Sequence, residues 1–395
     1  MGFYCEDDPV KNDRSLGFHW RAPPDLARSL DLPQLPKRLG RVQNSILAEG
    51  ILASESHQWV AYSRRKEFYR DGHRYRGTDF SYRSVVSTAD RLHAAGAIEN
   101  FVVPPGNLGW QSSFRATPKL MDAWRKLGDR LIHEIGEPII LRDKNGKSVD
   151  YDDNRFTRQV RAEIVRFNET LASVAVHVPG EQRGHHIMVG ESYVLPVPGN
   201  PLRRIYGRGS FSMGGRAYGW WQNIPKTARA QMTINGEPVA EADYSAMHAT
   251  ILYNVVGVCF IGDPYDLAGY DRDEAKLAFN IALNAANKWV AIGALANRLG
   301  KDKTYCADLL KAVRAKHKPI ERYFCADAGI SLMNSDSELI LSAVKAVNAT
   351  GNAALPVHDA LIIEGRIANL AQAKMVDAFE CKYGRLSPCN VKITP

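Results

Sequence analysis

The sequence predicts an α+β protein made of a helix-rich N-terminal region and a C-terminal region in which apolar strands end in carboxylates. Two observations carry this. In the C-terminal region, two apolar segments with strand character, Val239-Ala-Glu-Ala-Asp243 and Ala354-Leu-Pro-Val-His-Asp359, each run into an aspartate and are separated by long helical patterns. In the N-terminal region, a helix over Ser81–Ala95 is followed by a glycine stop and two short β-prone runs. Segregated helices and strands of this kind favour an α+β arrangement over an alternating parallel sheet.

The elements follow in order. Residues 20–36 hold Pro23, Pro24, Pro33 and Pro36 and are expected to be an irregular arm, so that residues 1–36 precede the first domain. Leu39–Ala61 is expected to be helical with an interruption at Gly50. A basic stretch interleaved with aromatics, from Arg64 to Arg83, leads into the Ser81–Ala95 helix. There Val85, Val86, Ala89, Leu92 and Ala95 recur close to the helical period, and Gly96 sits where a C-cap prefers glycine. Ile98–Val103 and Gln111–Arg115 read as strands joined across Pro104-Pro-Gly-Asn-Leu-Gly109. Thr117-Pro118 then offers an N-cap and a first-turn proline to a helix over Lys119–Ile132. Residues 138–155 are expected to form a hairpin turning at Asn145-Gly146. Arg155–Ser173 is a basic amphipathic helix, Asp336–Val344 a further helix, and residues 367–383 another.

Composition narrows the function. A chain of 395 residues with 45% hydrophobic content can bury more than one core, and a net charge of +8 suits a polyanionic partner. The six cysteines contain no Cys-x-x-Cys, which argues against structural zinc and a disulfide framework and for a reducing cytoplasm. The acidic N-terminus lacks the apolar core of a signal peptide, and Glu6 stands where myristoylation wants Ser or Thr. No apolar run is long enough to span a membrane, so no membrane partner is expected.

The two strand-end aspartates, Asp243 and Asp359, carry the chemistry. A carboxylate ending an apolar strand is costly unless paired, and two brought together repel unless a cation separates them. Mg²⁺, a hard cation that takes oxygen ligands and keeps positions open for phosphates, meets that need. Two such ions can clamp the attacking and leaving oxygens of a phosphoryl transfer.

The neighbouring segments, in order, are Trp220-Trp-Gln-Asn-Ile-Pro225, Ala242-Asp243-Tyr244-Ser245, Gly262-Asp-Pro-Tyr-Asp266, Arg272-x-x-x-Lys276-x-x-Phe279-Asn280, Leu332-Met-Asn-Ser-Asp-Ser-Glu-Leu-Ile340 and Val357-His358-Asp359. Over roughly residues 200–365 this order resembles the catalytic half of family A DNA polymerases, and more distantly the single-subunit phage-type RNA polymerases. Their motifs run "QNIP", "DYSQIE", "RxxxKxxxFxxxY", a "QGTAAD"-like helix and "HDE". The resemblance implies a right-hand polymerase whose palm, an antiparallel sheet, carries Asp243 and Asp359 as ligands of two Mg²⁺ ions, with Mn²⁺ as a substitute and the Tyr244 carbonyl as a further ligand. It implies helical fingers aiming Arg272 and Lys276 at the triphosphate, with Lys276 also protonating the departing pyrophosphate. His358, Asn334 and Gln222 would contact primer or template, and Arg208 or Arg216 would lie against the duplex.

Three departures from the family pattern matter, and those at His248, Asn280 and Asn284 bear on the sugar. His248 replaces the motif A glutamate, Asn280 and Asn284 replace the phenylalanine and tyrosine of motif B, and Ala360 replaces the third acidic residue of motif C. An asparagine can hydrogen-bond a 2′-hydroxyl and a histidine can exclude one, so these nucleotide-binding positions leave DNA and RNA products both open.

The N-terminal pattern of helix, stop, strand, loop, strand and helix is similar to the winged helix-turn-helix of MarR-like regulators. That resemblance makes Ser81–Ala95 a recognition helix bearing Arg83 and Arg91. The expected organisation is an arm (1–36), a winged-helix-like domain (37–135), a connector or reduced thumb (136–198), and palm with fingers (199–395). The function expected is template-directed nucleotidyl transfer on a DNA template and primer, or RNA, using nucleoside triphosphates. A compact replication enzyme of a phage or mobile element fits this architecture. An RNA polymerase or primase starting chains without a primer, a non-catalytic replication initiator and a two-metal nuclease are the alternatives.

Overall fold

The structure is a computed structural model that describes residues 13–104, 110–128 and 130–394. The expected loop tip at residues 105–109 therefore lies outside the described residues. Helices and mostly antiparallel ladders occupy the C-terminal region and a mixed sheet the N-terminal one, an α+β arrangement. Two separate hydrophobic cores exist, one formed by residues between Leu16 and Leu131 and the other by residues between Ile139 and Val391.

The first core is enclosed by strand β1 (Asp13–Ser15), helix α1 (Lys37–Glu55), strand β2 (Trp59–Tyr62), helix α2 (Tyr82–Ala94), strands β3 (Ile98–Phe101) and β4 (Ser112–Ala116), and helix α3 (Pro118–Leu127). The sheet runs β1-β2-β4-β3, parallel between β1 and β2 and antiparallel elsewhere. Ser81 caps α2 in a reciprocal capping box with Ser84, and Thr117 caps α3 ahead of Pro118.

Four local expectations change here. The helix expected over Leu39–Ala61 ends at Glu55, because His57 turns left-handed (φ 54°) and the aromatic and β-branched run at Trp59 joins the sheet. Gly50 does not interrupt it: the glycine lies mid-helix against Ala116 and Phe114, where an added Cβ would make ordinary contacts. The helix expected to reach Ile132 stops at Leu127 on a left-handed Gly128 cap, and Ile132-His133 instead pairs with Trp20-Arg21. Within the segment expected to be an irregular arm, Pro24–Ser29 is a short helix with Leu26 buried.

The second core begins with strand β5 (Ile139–Leu141) and helix α4 (Arg155–Ala172). The expected hairpin at 138–155 is reduced to a turn with a single bridge, Arg142 to Ser148, because β5 spends its edge in parallel pairing with strand β6 (Arg203–Gly207). β6 and β7 (Ser210–Tyr218) form a bulged hairpin. Next come strand β8 (Glu237–Tyr244), helix α5 (Met247–Val255), and three helices, α6 (Arg272–Asn284), α7 (Lys288–Leu299) and α8 (Lys303–Lys316). Helix α9 (Gly329–Asn348), strands β9 (Leu355–Val357) and β10 (Ala360–Glu364), helix α10 (Ala368–Tyr383) and strand β11 (Val391–Thr394) complete it. β8 is the central strand, with β10 and β11 antiparallel to it. Among the described residues no helix is long and apolar enough to cross a membrane.

Phe114 is fully buried in the first core and meets Tyr62 edge-on at 5.8 Å. Phe114→Ala should cost about 3–5 kcal/mol by loss of transfer energy plus a cavity. In urea titrations followed by tryptophan fluorescence and far-UV dichroism, it should produce an early transition confined to the first core. A single transition displaced as a whole would mean that the two cores unfold together.

Candidate active site

Alternation along β8 decides what faces where. Ala242 and Tyr244 are buried beneath the sheet, and the Tyr244 hydroxyl donates to the Met375 carbonyl of α10 at 2.5 Å. Asp243 and Glu241 therefore occupy the other face, half-buried. The antiparallel register sets Asp243 opposite Ala360. Asp359 is not the last residue of a strand, as expected, but lies in the turn between β9 and β10. His358, in left-handed conformation (φ 54°), makes the reversal possible. The Tyr244 amide donates to the Asp359 carbonyl at 3.4 Å, so the two aspartates share one end of the sheet.

Their electrostatics are those of crowded carboxylates. Burial, then the charges of Asp359 and Glu241, push the Asp243 carboxyl up to about 6, while Lys226 and Lys276 pull it the other way. The cation of α6 is thus felt at the aspartates. Asp271 caps α6 by accepting from the Asp273 and Glu274 amides, which fixes the start of the turn carrying Arg272 and Lys276. Both cations stand over the Tyr265 ring, at 5.5 Å and 5.9 Å from its centroid, and Arg272 Nε donates to Asp263 at 2.5 Å. Burial, with Asp263 adding its charge, raises the Tyr265 hydroxyl to about 12. The Gly262–Asp266 segment is therefore the bracket that holds the basic helix face.

A second network lies behind the carboxylates. Asp336 on α9 is completely buried and ion-pairs with Arg216 of β7, whose Nε donates to Oδ1 at 3.2 Å. His248 Nε2 of α5 lies 3.0 Å from Asp336 Oδ2. Against the cost of burial, Asp336 and then Asp359 keep the Arg216 guanidinium strongly protonated. His358, exposed at the hairpin tip, is held below the usual imidazole range by partial desolvation and by Arg216.

Other expected site residues have local tasks. Gln222 donates through Nε2 to the carbonyls of Ala217 (2.9 Å) and Pro356 (2.8 Å), stapling its segment to the strand that leads to His358. Asn334 donates to the Gly214 carbonyl at 3.2 Å and packs over the β7 bulge. A Cβ at Gly215 (φ 82°) would meet Asn334 Nδ2 at 2.9 Å, so only glycine fits there. Asn284 donates to the Asn280 carbonyl at 2.8 Å, and Arg208 is paired with Asp327 away from the aspartates. Arg83 and Arg91 are exposed on α2 in the first core, where Arg91 donates to the Ser87 carbonyl at 3.2 Å.

Sequence reasoning assigned no role to Asp336, Tyr265, Lys226 or Glu241. Glu241 was legible, since it is two residues from Asp243 on one strand face. The others come from distant segments.

Among the described residues no group of three or more His, Cys, Asp or Glu side chains forms a ready-made metal cage. The donor set is instead two carboxylates beside the Tyr244 backbone, with a raised Asp243 carboxyl that a cation would relieve. That suits Mg²⁺, which is held by one or two carboxylates plus substrate phosphates rather than by an all-protein cage.

The raised Asp243 carboxyl has a definite consequence for stability. A carboxyl whose folded value exceeds its unfolded one stabilises the fold below the unfolded value and loses that contribution as pH rises through about 6. Asp243→Asn should therefore stabilise the metal-free protein at pH 8, by on the order of 1–2 kcal/mol after allowance for solvent screening, with no gain at pH 4. Thermal melts in EDTA across that range are the check.

No family model and no curated protein matches this chain. Among solved structures it is similar to the POL domain of Pol1 from M. smegmatis in complex with DNA primer-template and dNTP. The likeness is 14% sequence identity at a TM-score of 0.32, covering 48% of this chain and 47% of that one, about half of its length.

Proposed function

We propose that the chain is a template-directed nucleotidyltransferase, a compact family A-like DNA polymerase, whose reaction is attack of a primer 3′-hydroxyl on the α-phosphate of a nucleoside triphosphate. The observation that carries this reading is the pairing of Asp243 and Asp359 at one sheet end within the field of Lys276 on a neighbouring helix. Carboxylates and a basic helix face are what a polyphosphate substrate with divalent cations requires.

When bound, two Mg²⁺ ions would activate the 3′-hydroxyl and stabilise the leaving phosphate, held by Asp243, Asp359 and the Tyr244 carbonyl. The chain's own residues do the rest. Lys276, four residues from Arg272 on one face of α6, neutralises phosphate charge and delivers a proton to the departing pyrophosphate. Arg272 exchanges Asp263 for the triphosphate, with Tyr265 as the surface on which both cations rest. Asp336 orients His248 through Nε2, and His248 is the residue assigned to the sugar. Asn280 and Asn284 line the same helix. Gln222, Asn334, His358 and Arg216 are the assigned contacts to primer and template, with Arg208 at the periphery.

The N-terminal unit belongs to this reading as a winged helix. Its order α1-β2-α2-β3-β4, with a β3–β4 hairpin following a capped helix, supports the assignment. Exposed Arg83 and Arg91 on α2 would contact duplex phosphates and tether a polymerase with little thumb. A primase or RNA polymerase activity is the second reading, favoured by Asn280 and Asn284 on α6, since an asparagine can hydrogen-bond a 2′-hydroxyl. A replication enzyme of a phage or mobile element remains the setting that suits this size and layout.

The test is extension of a labelled primer on a defined template with Mg²⁺ or Mn²⁺, using dNTPs or NTPs, with and without primer. Asp243→Ala and Asp359→Ala should abolish incorporation, as should EDTA. Lys276→Ala should lower kcat by roughly 10²–10³-fold, the effect of removing one preorganised charge-stabilising donor. Incorporation that survives both aspartate variants would falsify the two-carboxylate assignment. Template binding without incorporation under any condition would leave a non-catalytic initiator, and cleavage without nucleotides a nuclease.

A further inference from the structure

A sizeable cavity lies away from the aspartates. It lies at the seam between the two cores, with a volume of about 480 Å³, and is lined by residues from the N-terminal segment, α1, the 133–140 stretch and the 201–223 stretch. Small-molecule sites typically span ~300–1,000 Å³. Polar atoms buried without a partner gather here. Among the described residues Nδ1 of His133 and Oε1 of Gln222 make no hydrogen bond, the Glu49 carboxylate is held only by the Arg14 ion pair and the Gly17 backbone, and all three residues line the cavity. Glu49 is fully buried; Arg14 lies 3.1 Å away and the Gly17 backbone is close, yet burial still raises its carboxyl. A buried acceptor left unmade costs about 1–3 kcal/mol, more when charged, so this concentration of them is expensive unless something completes it.

The walls define the chemistry of what would complete it. Phe18, Trp20, Tyr75 and Trp220 supply aromatic faces for a flat ring. Arg203 lines the cavity from its exposed side and has no ion-pair partner among the described residues, so its guanidinium is available to an anion there. A flat group stacked on the aromatics, offering two adjacent N–H donors to one carboxylate and an anionic tail to an arginine, satisfies all of these at once. Among nucleobases guanine alone presents such a donor pair on one edge, through N1–H and the 2-amino group. Adenine offers a carboxylate one donor beside an acceptor.

We propose that the seam cavity is a binding site for a free guanine nucleotide, with the base edge on Glu49 and the phosphates at Arg203. The site is separate from the proposed catalytic aspartates, and it does not depend on the polymerase reading. It is connected to them through Gln222, which lines the cavity and bonds the carbonyl of Pro356, two residues before His358. Occupancy of the seam thereby bears on the hairpin that carries Asp359.

The experiment is calorimetric titration of the full chain in EDTA, without nucleic acid, using GTP, GMP, ATP, CTP and a short dG-containing single strand. It is run on the wild type and on the Asp243→Ala/Lys276→Ala double variant. GTP and GMP should bind at least 10-fold more tightly than ATP or CTP, equally well in both proteins. Glu49→Gln should erase that preference, because its amide offers one acceptor and one donor, and it should not lower the melting temperature of the empty protein. Leu195→Trp, which fills the cavity from another wall, should block all nucleotides and decides the matter if Glu49→Gln fails to fold. Equal affinity for all nucleotides, binding unaffected by both seam variants, loss of binding in the aspartate–lysine variant, or binding of the strand alone would each overturn the assignment. None of these outcomes bears on whether the aspartates support primer extension.

Discussion

The antiparallel register between β8 and β10 is the constraint on which the rest of the second core depends. With Asp243 opposite Ala360, the carboxylate faces outward at the sheet end and the Asp359 turn folds over beside it. A slip of one residue would drive Asp243 into the core and bring Ala242 out, because strand side chains alternate strictly. Several interactions forbid that slip. Tyr244 is anchored to the Met375 carbonyl, β11 pairs with the other edge of β8 from Glu241 to Tyr244, and the left-handed His358 limits where the chain can reverse. The small Ala360 then leaves room beside Asp243 that a larger residue would occupy.

A sheet end that gathers negative charge needs counter-charge from elsewhere, and it arrives from three directions. Lys226 lies in the segment before β8, Lys276 comes from α6 over Tyr265, and Arg216 comes from β7. Arg216 is itself fixed by Asp336, which would be an unsupportable buried charge without the arginine and His248. This ties four elements, β7, α5, α9 and the β9–β10 turn, into one electrostatic unit. Asp336, which touches neither carboxylate of the pair, thus positions the guanidinium whose charge Asp359 feels.

Much of this was legible in the sequence, for local reasons. Alternation in Val239–Asp243, the caps at Ser81 and Thr117, and the i, i+4 spacing of Arg272 and Lys276 are short-range signals, and the corresponding elements lie within a few residues of the expected bounds. What misled was also local. Hydrophobic content continued past Glu55 and past Leu127, and only pairing with distant strands, β4 in one case and Trp20-Arg21 in the other, ended those helices. The Asp336 clamp and the seam cavity were illegible for a deeper reason. Asp336 reads as one more polar residue in a helix, and His133, Glu49 and Gln222 are separated by most of the chain. Their significance exists only after burial, when an ordinary polar atom becomes an unpaid hydrogen bond.

Gln222 shows how such atoms can serve two regions at once. Its amide nitrogen is committed to Ala217 and Pro356, so the side chain cannot rotate toward the seam without releasing the strand that leads to His358 and Asp359. Its oxygen, buried and unpartnered, cannot be satisfied by the second core from that position. The residue therefore holds a geometry favourable for the hairpin and unfavourable for itself. Whatever satisfies the oxygen from the seam side removes the incentive to rotate and stiffens the turn. Whatever perturbs the seam loosens the turn by the same two bonds. The Gln222 amide is thus one physical link between the seam and the hairpin that carries Asp359.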